Sequence, residues 1–190
     1  MRSIKFTAIG LGLLCVIPLA LGAASPADTA QTFTAVATVK TAAGASATAP
    51  LTVVVRQFAS DAQRDELMAA LKKGGTASAR DVLAKRGDIG TVQLGSRQTA
   101  IKHAYARSTG HGQLVTVVTA EPLVFLGAGM PQSKPTTGYD LGLVMLEVAA
   151  SGPGRGELVP ATKVRVDEQG AIVTEDYSGE VVQLSNVVKK

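Results

Sequence analysis

The chain of 190 residues contains no tryptophan, one cysteine and two histidines. Cys15 lies inside the apolar N-terminal segment, so the rest of the chain has no thiol for a disulfide, a zinc site or a nucleophile. The two imidazoles belong to His103 and His111. These shortages exclude disulfide-rich scaffolds and thiol enzymes.

The sequence contains few residues that could bind a transition-metal ion. A zinc site would need both His103 and His111 together with a carboxylate such as Asp140 or Glu121. No HxH or HExxH spacing is present. We therefore predict neither a metal site nor a cofactor.

Motifs for hydrolysis and nucleotide binding are also missing. The chain has no GxSxG, and its nearest approach, residues 44–48 (GASAT), lies in a segment of small residues. Residues 127–129 (GAG) follow a short apolar run, but the third glycine of a dinucleotide loop is absent. Pro131 prevents a helix from starting directly after them. We predict no catalytic residues.

The N-terminal segment has the three parts of a signal peptide. Arg2 and Lys5 precede an apolar run over residues 9–21, and small residues follow at 22–24. The run of about 13 residues is shorter than the roughly 20 that a membrane-spanning helix needs. We expect cleavage between Ala24 and Ser25, with a cut after Gly22 as the alternative. Residues 1–24 are then a signal peptide, and membrane contact is limited to export.

Removal of this segment changes the charge of the chain. Losing Arg2 and Lys5 lowers the formal net charge from +4 to +2, too weak a balance to favour nucleic acid as a partner. Residues 25–31 are small and polar and indicate a flexible lead-in. Residues 32–190 show one composition throughout, so we predict a single domain that is periplasmic or secreted.

The remaining pattern favours strands interrupted once by helices. Residues 40–50 hold few large side chains and indicate a connection between two strands. Ser60 and Gln63 form a capping-box pattern, and Gly74 and Gly75 separate two helical segments. The predicted strands cover residues 32–39, 51–58, 90–94, 99–108, 113–120, 123–126, 139–149, 157–167, 171–174 and 181–188, and residues 127–138 form a loop.

This order of elements predicts an α+β fold. We expect a mainly antiparallel, bent sheet of about eight strands, with a helical hairpin inserted after the second strand. The alternative is a β-barrel or a sandwich with a helical insert. Because helices do not alternate with strands, a doubly wound parallel sheet is disfavoured.

One strand carries a candidate ligand site. His103, Tyr105 and Arg107 occupy every second position and therefore share one face. If that face is concave, Arg107 could hold an anion or a small polar ligand while the Tyr105 hydroxyl donates a hydrogen bond. The alternative is an ordinary solvent-facing strand, with the Arg107 stem lying along its surface.

Several short stretches resemble a known group of proteins. They are residues 102–108 (KHAYARS), 121–122 (EP), 161–163 (ATK) and the ending at 182–188. Together they resemble an uncharacterised family of small exported bacterial proteins, over residues 51 to the C-terminus. The resemblance implies export and a single domain, and it implies no activity and no catalytic residues.

Three hypotheses for function follow. The first is a non-enzymatic module of the cell envelope that binds a small ligand or a protein. The second is an envelope hydrolase with a non-standard site around His103, Tyr105 and Asp140. The third is a structural accessory that pairs through a strand edge at residues 181–188.

Overall fold

The computed structural model describes residues 30–40, 46–123, 138–177 and 181–190. These residues form ten strands and one helix, which follows the second strand. The elements are β1 (Gln31–Lys40), β2 (Ser46–Val55), α1 (Asp61–Ala84), β3 (Gly90–Leu94), β4 (Arg97–Ile101), β5 (His103–Thr109), β6 (Gly112–Thr119), β7 (Leu141–Ala149), β8 (Gly154–Val166), β9 (Ile172–Tyr177) and β10 (Val182–Lys189).

The strands form one antiparallel sheet that curls into a half-barrel. Its order is β4-β3-β2-β1-β10-β8-β7-β6-β5, and β9 pairs with β8 outside this path. The strands at the two ends of the path, β4 and β5, are separated in the chain by Lys102 alone. Because one residue joins the first strand of the path to the last, the sheet must bend back on itself.

The inner face of the curled sheet holds the larger hydrophobic core. Alternate residues of each strand point inward, as the period-two pattern predicts, so Phe33, Ala37 and Val39 of β1 are buried. Val53 and Val55 of β2 join them. The core continues through Val92, Leu94, Ile101, Ala104, Val115, Val117, Val144, Leu146, Leu158, Val182 and Leu184.

A second core lies on the outer face of the sheet, beneath α1. Leu67, Met68 and Leu71 of the helix pack on this face. Strand residues supply the other side of the contact, namely Val118, Leu141, Leu143, Val159, Val164 and Ile172. The strands below the helix are therefore apolar on both faces, which explains the continuous apolar pattern of β7.

The predicted helical hairpin is visible in the contacts of α1. The helix begins with the predicted capping box, in which Gln63 N donates to Ser60 Oγ and Ser60 N donates to Gln63 Oε1. Gly74 and Gly75 then depart from helical geometry. Along a straight helix, residues 63 and 86 would lie about 34 Å apart. Instead, Arg86 Nη2 donates to Gln63 O over 2.7 Å, so the chain reverses at the glycines.

Two strand predictions were wrong. Residues 46–50, predicted as part of a connection, extend β2 and pair with β1 from Ser46↔Lys40 to Pro50↔Val36. Pairing with β1 provides hydrogen bonds that the small side chains of this segment do not signal. The strand predicted over residues 99–108 is broken at Lys102, where the sheet bends, and it begins at Arg97.

The expected free edge at the C-terminus is not found. β10 pairs with β1 on one side and with β8 on the other. A strand that already has two neighbours cannot accept another chain at its edge. This pairing contradicts the third hypothesis, in which residues 181–188 pair with another chain through a free strand edge.

Some predictions fall outside the described residues. They are the signal peptide at 1–24, the lead-in except for its last two residues, residues 124–126 of a short predicted strand, and nearly all of the loop at 127–138. Among the described residues, no helix has the length and the apolar character that crossing a membrane requires.

Gly75 provides a test of the chain reversal. Its backbone has φ 61° and ψ −152°, a conformation open almost only to glycine. We expect Gly75→Ala to lower the free energy of unfolding by about 1–3 kcal/mol, measured by urea denaturation. Gly87→Ala is the matched control, because Gly87 is exposed and a Cβ there meets no other atom. Equal stability of the two variants would contradict a strained reversal at Gly75.

Candidate functional site

His103, Tyr105 and Arg107 lie on the outer face of β5 and not on the concave inner face of the sheet, on which the predicted site depended. This outer face is partly covered by α1. Their exposure increases along the strand: His103 is buried, Tyr105 is half-buried and Arg107 is exposed. The inward-facing residue between the first two, Ala104, belongs to the inner core. The structure thus places all three on one face but in three different environments.

His103 lies beneath the helical hairpin. Its Nδ1 is 3.2 Å from Arg86 Nη1. Because a guanidinium only donates hydrogen bonds, Nδ1 must be the accepting nitrogen and Nε2 must carry the proton. Nε2 is buried without a partner among the described residues. Burial, together with the positive charges of Arg86 and Arg64, lowers the pKa of His103 to about 4, so the ring is neutral at pH 7.

Arg86 ties His103 to the first helical segment. Its Nη2 donates to Gln63 O over 2.7 Å and to Glu66 Oε2 over 2.6 Å. The Arg86 side chain is only 13% exposed, and a buried guanidinium needs such partners. His103 therefore belongs to a network that holds the hairpin on the sheet.

The pH dependence of stability follows from the low pKa of His103. In the unfolded chain this pKa returns to about 6.5. Because His103 binds its proton more tightly in the unfolded chain, protonation favours unfolding. The stabilisation that comes from the neutral His103 is therefore complete above pH 6.5 and is lost as the pH falls to about 4. The loss amounts to roughly 3 kcal/mol.

Urea unfolding of wild type and His103→Gln at pH 7 and pH 4 measures this contribution. The glutamine can still accept from Arg86 but does not titrate, so we expect the variant to lose about 3 kcal/mol less than wild type over this interval. His111→Gln, which removes an exposed imidazole, is the control. Identical pH dependence in wild type and His103→Gln would show that His103 is not buried in neutral form.

Tyr105 joins β5 to the start of α1. Arg64 Nη1 donates to the Tyr105 hydroxyl oxygen over 2.9 Å, and the guanidinium carbon is 5.0 Å from the centre of the ring. The hydroxyl in turn points to Asp61 Oδ1 at 3.5 Å, the outer limit of a hydrogen bond. The hydroxyl hydrogen is thus weakly held and can turn towards a ligand.

A cleft of about 170 Å³ opens beside this contact. Its first wall is the helix, its second is formed by β5 and β6, and its third is the turn between β8 and β9. The lining residues are Arg64, Met68, Tyr105, Arg107, Leu114, Thr116, Gln169, Gly170, Ala171 and Ile172. Asp167 shapes the turn, because its Oδ1 accepts from Gln169 N and Ala171 N. The cleft therefore combines two arginines and a tyrosine hydroxyl with apolar side chains.

The charge of this cleft is positive. Arg64 is paired with Asp65 at 3.0 Å, so its charge is largely compensated and the net positive charge comes from Arg107. Within the described part of the chain, Arg107 has no carboxylate within salt-bridge distance. Guanidinium groups and a tyrosine hydroxyl that line one cleft can together bind a carboxylate or a phosphate.

A neighbouring cleft of about 290 Å³ differs in its charges. It is lined by Arg86 and Lys102, but both cations are already neutralised by carboxylates. Lys102 Nζ is 2.7 Å from Asp88 Oδ1, and Arg86 is paired with Glu66. The cleft at Arg107 is thus the better candidate for an anion.

The residues suggested for a hydrolytic or metal site are not brought together. Seven residues lie between His103 and His111, and β5 alone, from His103 to Thr109, extends for about 20 Å. Asp140 pairs with Arg80 at 3.2 Å, and His103 contacts Arg86. Across the described ranges, no three histidine, cysteine, aspartate or glutamate side chains cluster as metal ligands would.

Arg64 is the site residue that the sequence reasoning missed. It precedes Met68 by four positions and Leu71 by seven, so it lies on the apolar stripe of the predicted helix. An arginine on a buried stripe is a usable signal, but its partner on β5 becomes visible only in the folded chain.

No family model, curated protein or solved structure matches the chain.

Proposed function

We propose that the chain is an exported, non-enzymatic module of the cell envelope that binds a small anionic ligand. The observation that supports this function is the convergence of Arg64, Tyr105 and Arg107 on one cleft of about 170 Å³. The ligand's carboxylate or phosphate lies between the two guanidinium groups, and the Tyr105 hydroxyl donates to it.

The apolar part of the cleft supports a ligand with some carbon skeleton. Met68, Leu114 and Ile172 line the same space as the cationic groups. Small-molecule sites commonly combine an apolar lining with a few polar groups that fix orientation. The limited volume favours a compact head group at this position.

Substitution of Arg107 tests the function. With inorganic phosphate as the probe, we expect Arg107→Gln to weaken binding at least about 10-fold in calorimetric titration, because a charge-assisted hydrogen bond is lost. Arg97→Gln is the control, since Arg97 is also exposed but lies on β4, outside the cleft. Equal affinity of the Arg107 and Arg97 variants would refute the site.

Export has its own test. The three-part N-terminal segment supports cleavage between Ala24 and Ser25. Intact-mass measurement of the protein from the envelope or medium of a bacterial host should give a chain that begins at Ser25. Replacing Ala24 with a bulky residue such as tyrosine should block this cleavage. A chain that keeps Met1 and remains in the cytosol would contradict export.

A further inference from the structure

A row of side chains crosses the outer face of the sheet. It starts at the cleft lined by Arg64, Tyr105 and Arg107, the anion cleft. Strand register aligns Arg107 with Leu114, Leu114 with Glu147, and Glu147 with Arg155. Paired residues share a face, so these four side chains form one line over β5, β6, β7 and β8. With strands about 4.8 Å apart, the backbones at Arg107 and Arg155 are separated by about 14 Å.

An open groove of about 470 Å³ follows this row. It shares Arg107 and Leu114 with the anion cleft, so the two spaces adjoin at these residues. Thr109 and His111 supply further polar groups, while Ala149 and Pro153 supply apolar surface. A molecule whose head lies in the anion cleft can therefore extend along the groove.

The charges in the groove are arranged unevenly. Glu147 Oε2 accepts from Arg155 Nε over 2.7 Å, and both side chains are largely exposed. This pair is neutral as a whole, so the net positive charge stays at the Arg107 end. Because its two charges compensate each other, the Glu147–Arg155 pair offers a second anionic group no net attraction.

Resting on the proposed function, we propose that the ligand is an elongated molecule with a single anionic group and a polyhydroxylated tail, in the chemical class of sugar phosphates and acidic saccharides. The anionic head lies at Arg64 and Arg107. Hydroxyl groups of the tail bind Thr109 and the Glu147–Arg155 pair, which offers an acceptor beside a donor, as adjacent hydroxyls require. Carbon-bound hydrogens of the tail contact Leu114.

Calorimetric titration with four probes tests this ligand class. The probes are inorganic phosphate, glucose 6-phosphate, glucose and fructose 1,6-bisphosphate. We expect glucose 6-phosphate to bind at least about 5-fold more tightly than phosphate, because the tail adds one or more hydrogen bonds. Glucose without the phosphate should give no measurable binding. The bisphosphate should bind no more tightly than glucose 6-phosphate, because the neutral Glu147–Arg155 pair offers its second phosphate no net attraction.

Two variants test whether the groove causes the tighter binding of glucose 6-phosphate. Thr109→Val removes one hydroxyl, so the ratio of the dissociation constants of phosphate and glucose 6-phosphate should fall about 5-fold. Glu147→Gln leaves Arg155 without its carboxylate partner, so the bisphosphate should gain affinity relative to glucose 6-phosphate. Arg97→Gln on β4 is the control and should leave both ratios at their wild-type values.

The outcomes separate the two proposals. If phosphate and glucose 6-phosphate bind equally well, the tail groove is wrong while the anion site stands. If neither binds, the proposed function fails and this inference fails with it. Tighter binding of glucose 6-phosphate that neither variant alters would also overturn the groove, since the added affinity would then arise elsewhere.

Discussion

The packing of the helical hairpin on the outer face of the sheet is the constraint on which the rest of the structure depends. A curled sheet can bury its inner face by itself, but β6, β7 and β8 are apolar on the outer face as well. Among the described residues, α1 packs on that surface, and Val164 of β8 and Ile172 of β9 belong to the same cluster. The reversal at Gly74 and Gly75 lets both helical segments lie on it, and the buried pair of Arg86 and His103 fixes the hairpin to β5.

The candidate site lies where this cover ends. Along the outer face of β5, residues pass from the buried His103 to the exposed Arg107, so one strand runs from core to solvent within five residues. The start of α1 brings Arg64 over Tyr105 at this boundary. At a boundary between buried and solvent-exposed surface, charged groups can lie close together without the full desolvation free energy of burial. That position makes the cleft suitable for an anion.

The sequence predicts the local features well and the long-range features poorly. The capping box at Ser60 and Gln63 and the common face of β5 follow from spacing alone, because they need only neighbouring residues. Residues 46–50 become a strand through pairing with β1, and the break at Lys102 follows from the curling of the whole sheet. The meeting of Arg64 with Tyr105 spans 41 positions and is likewise invisible to local patterns.

The most direct test of the anion site is to observe the side chains of Arg64 and Arg107 individually. In NMR titrations with phosphate, the side-chain Nε–Hε signals of Arg64 and Arg107 should shift and saturate with one shared dissociation constant, because both guanidinium groups contact the same anion. The Arg97 signal should stay in place. Shifts of equal size at Arg97, or saturation of Arg64 and Arg107 at different concentrations, would contradict a single site built from these residues.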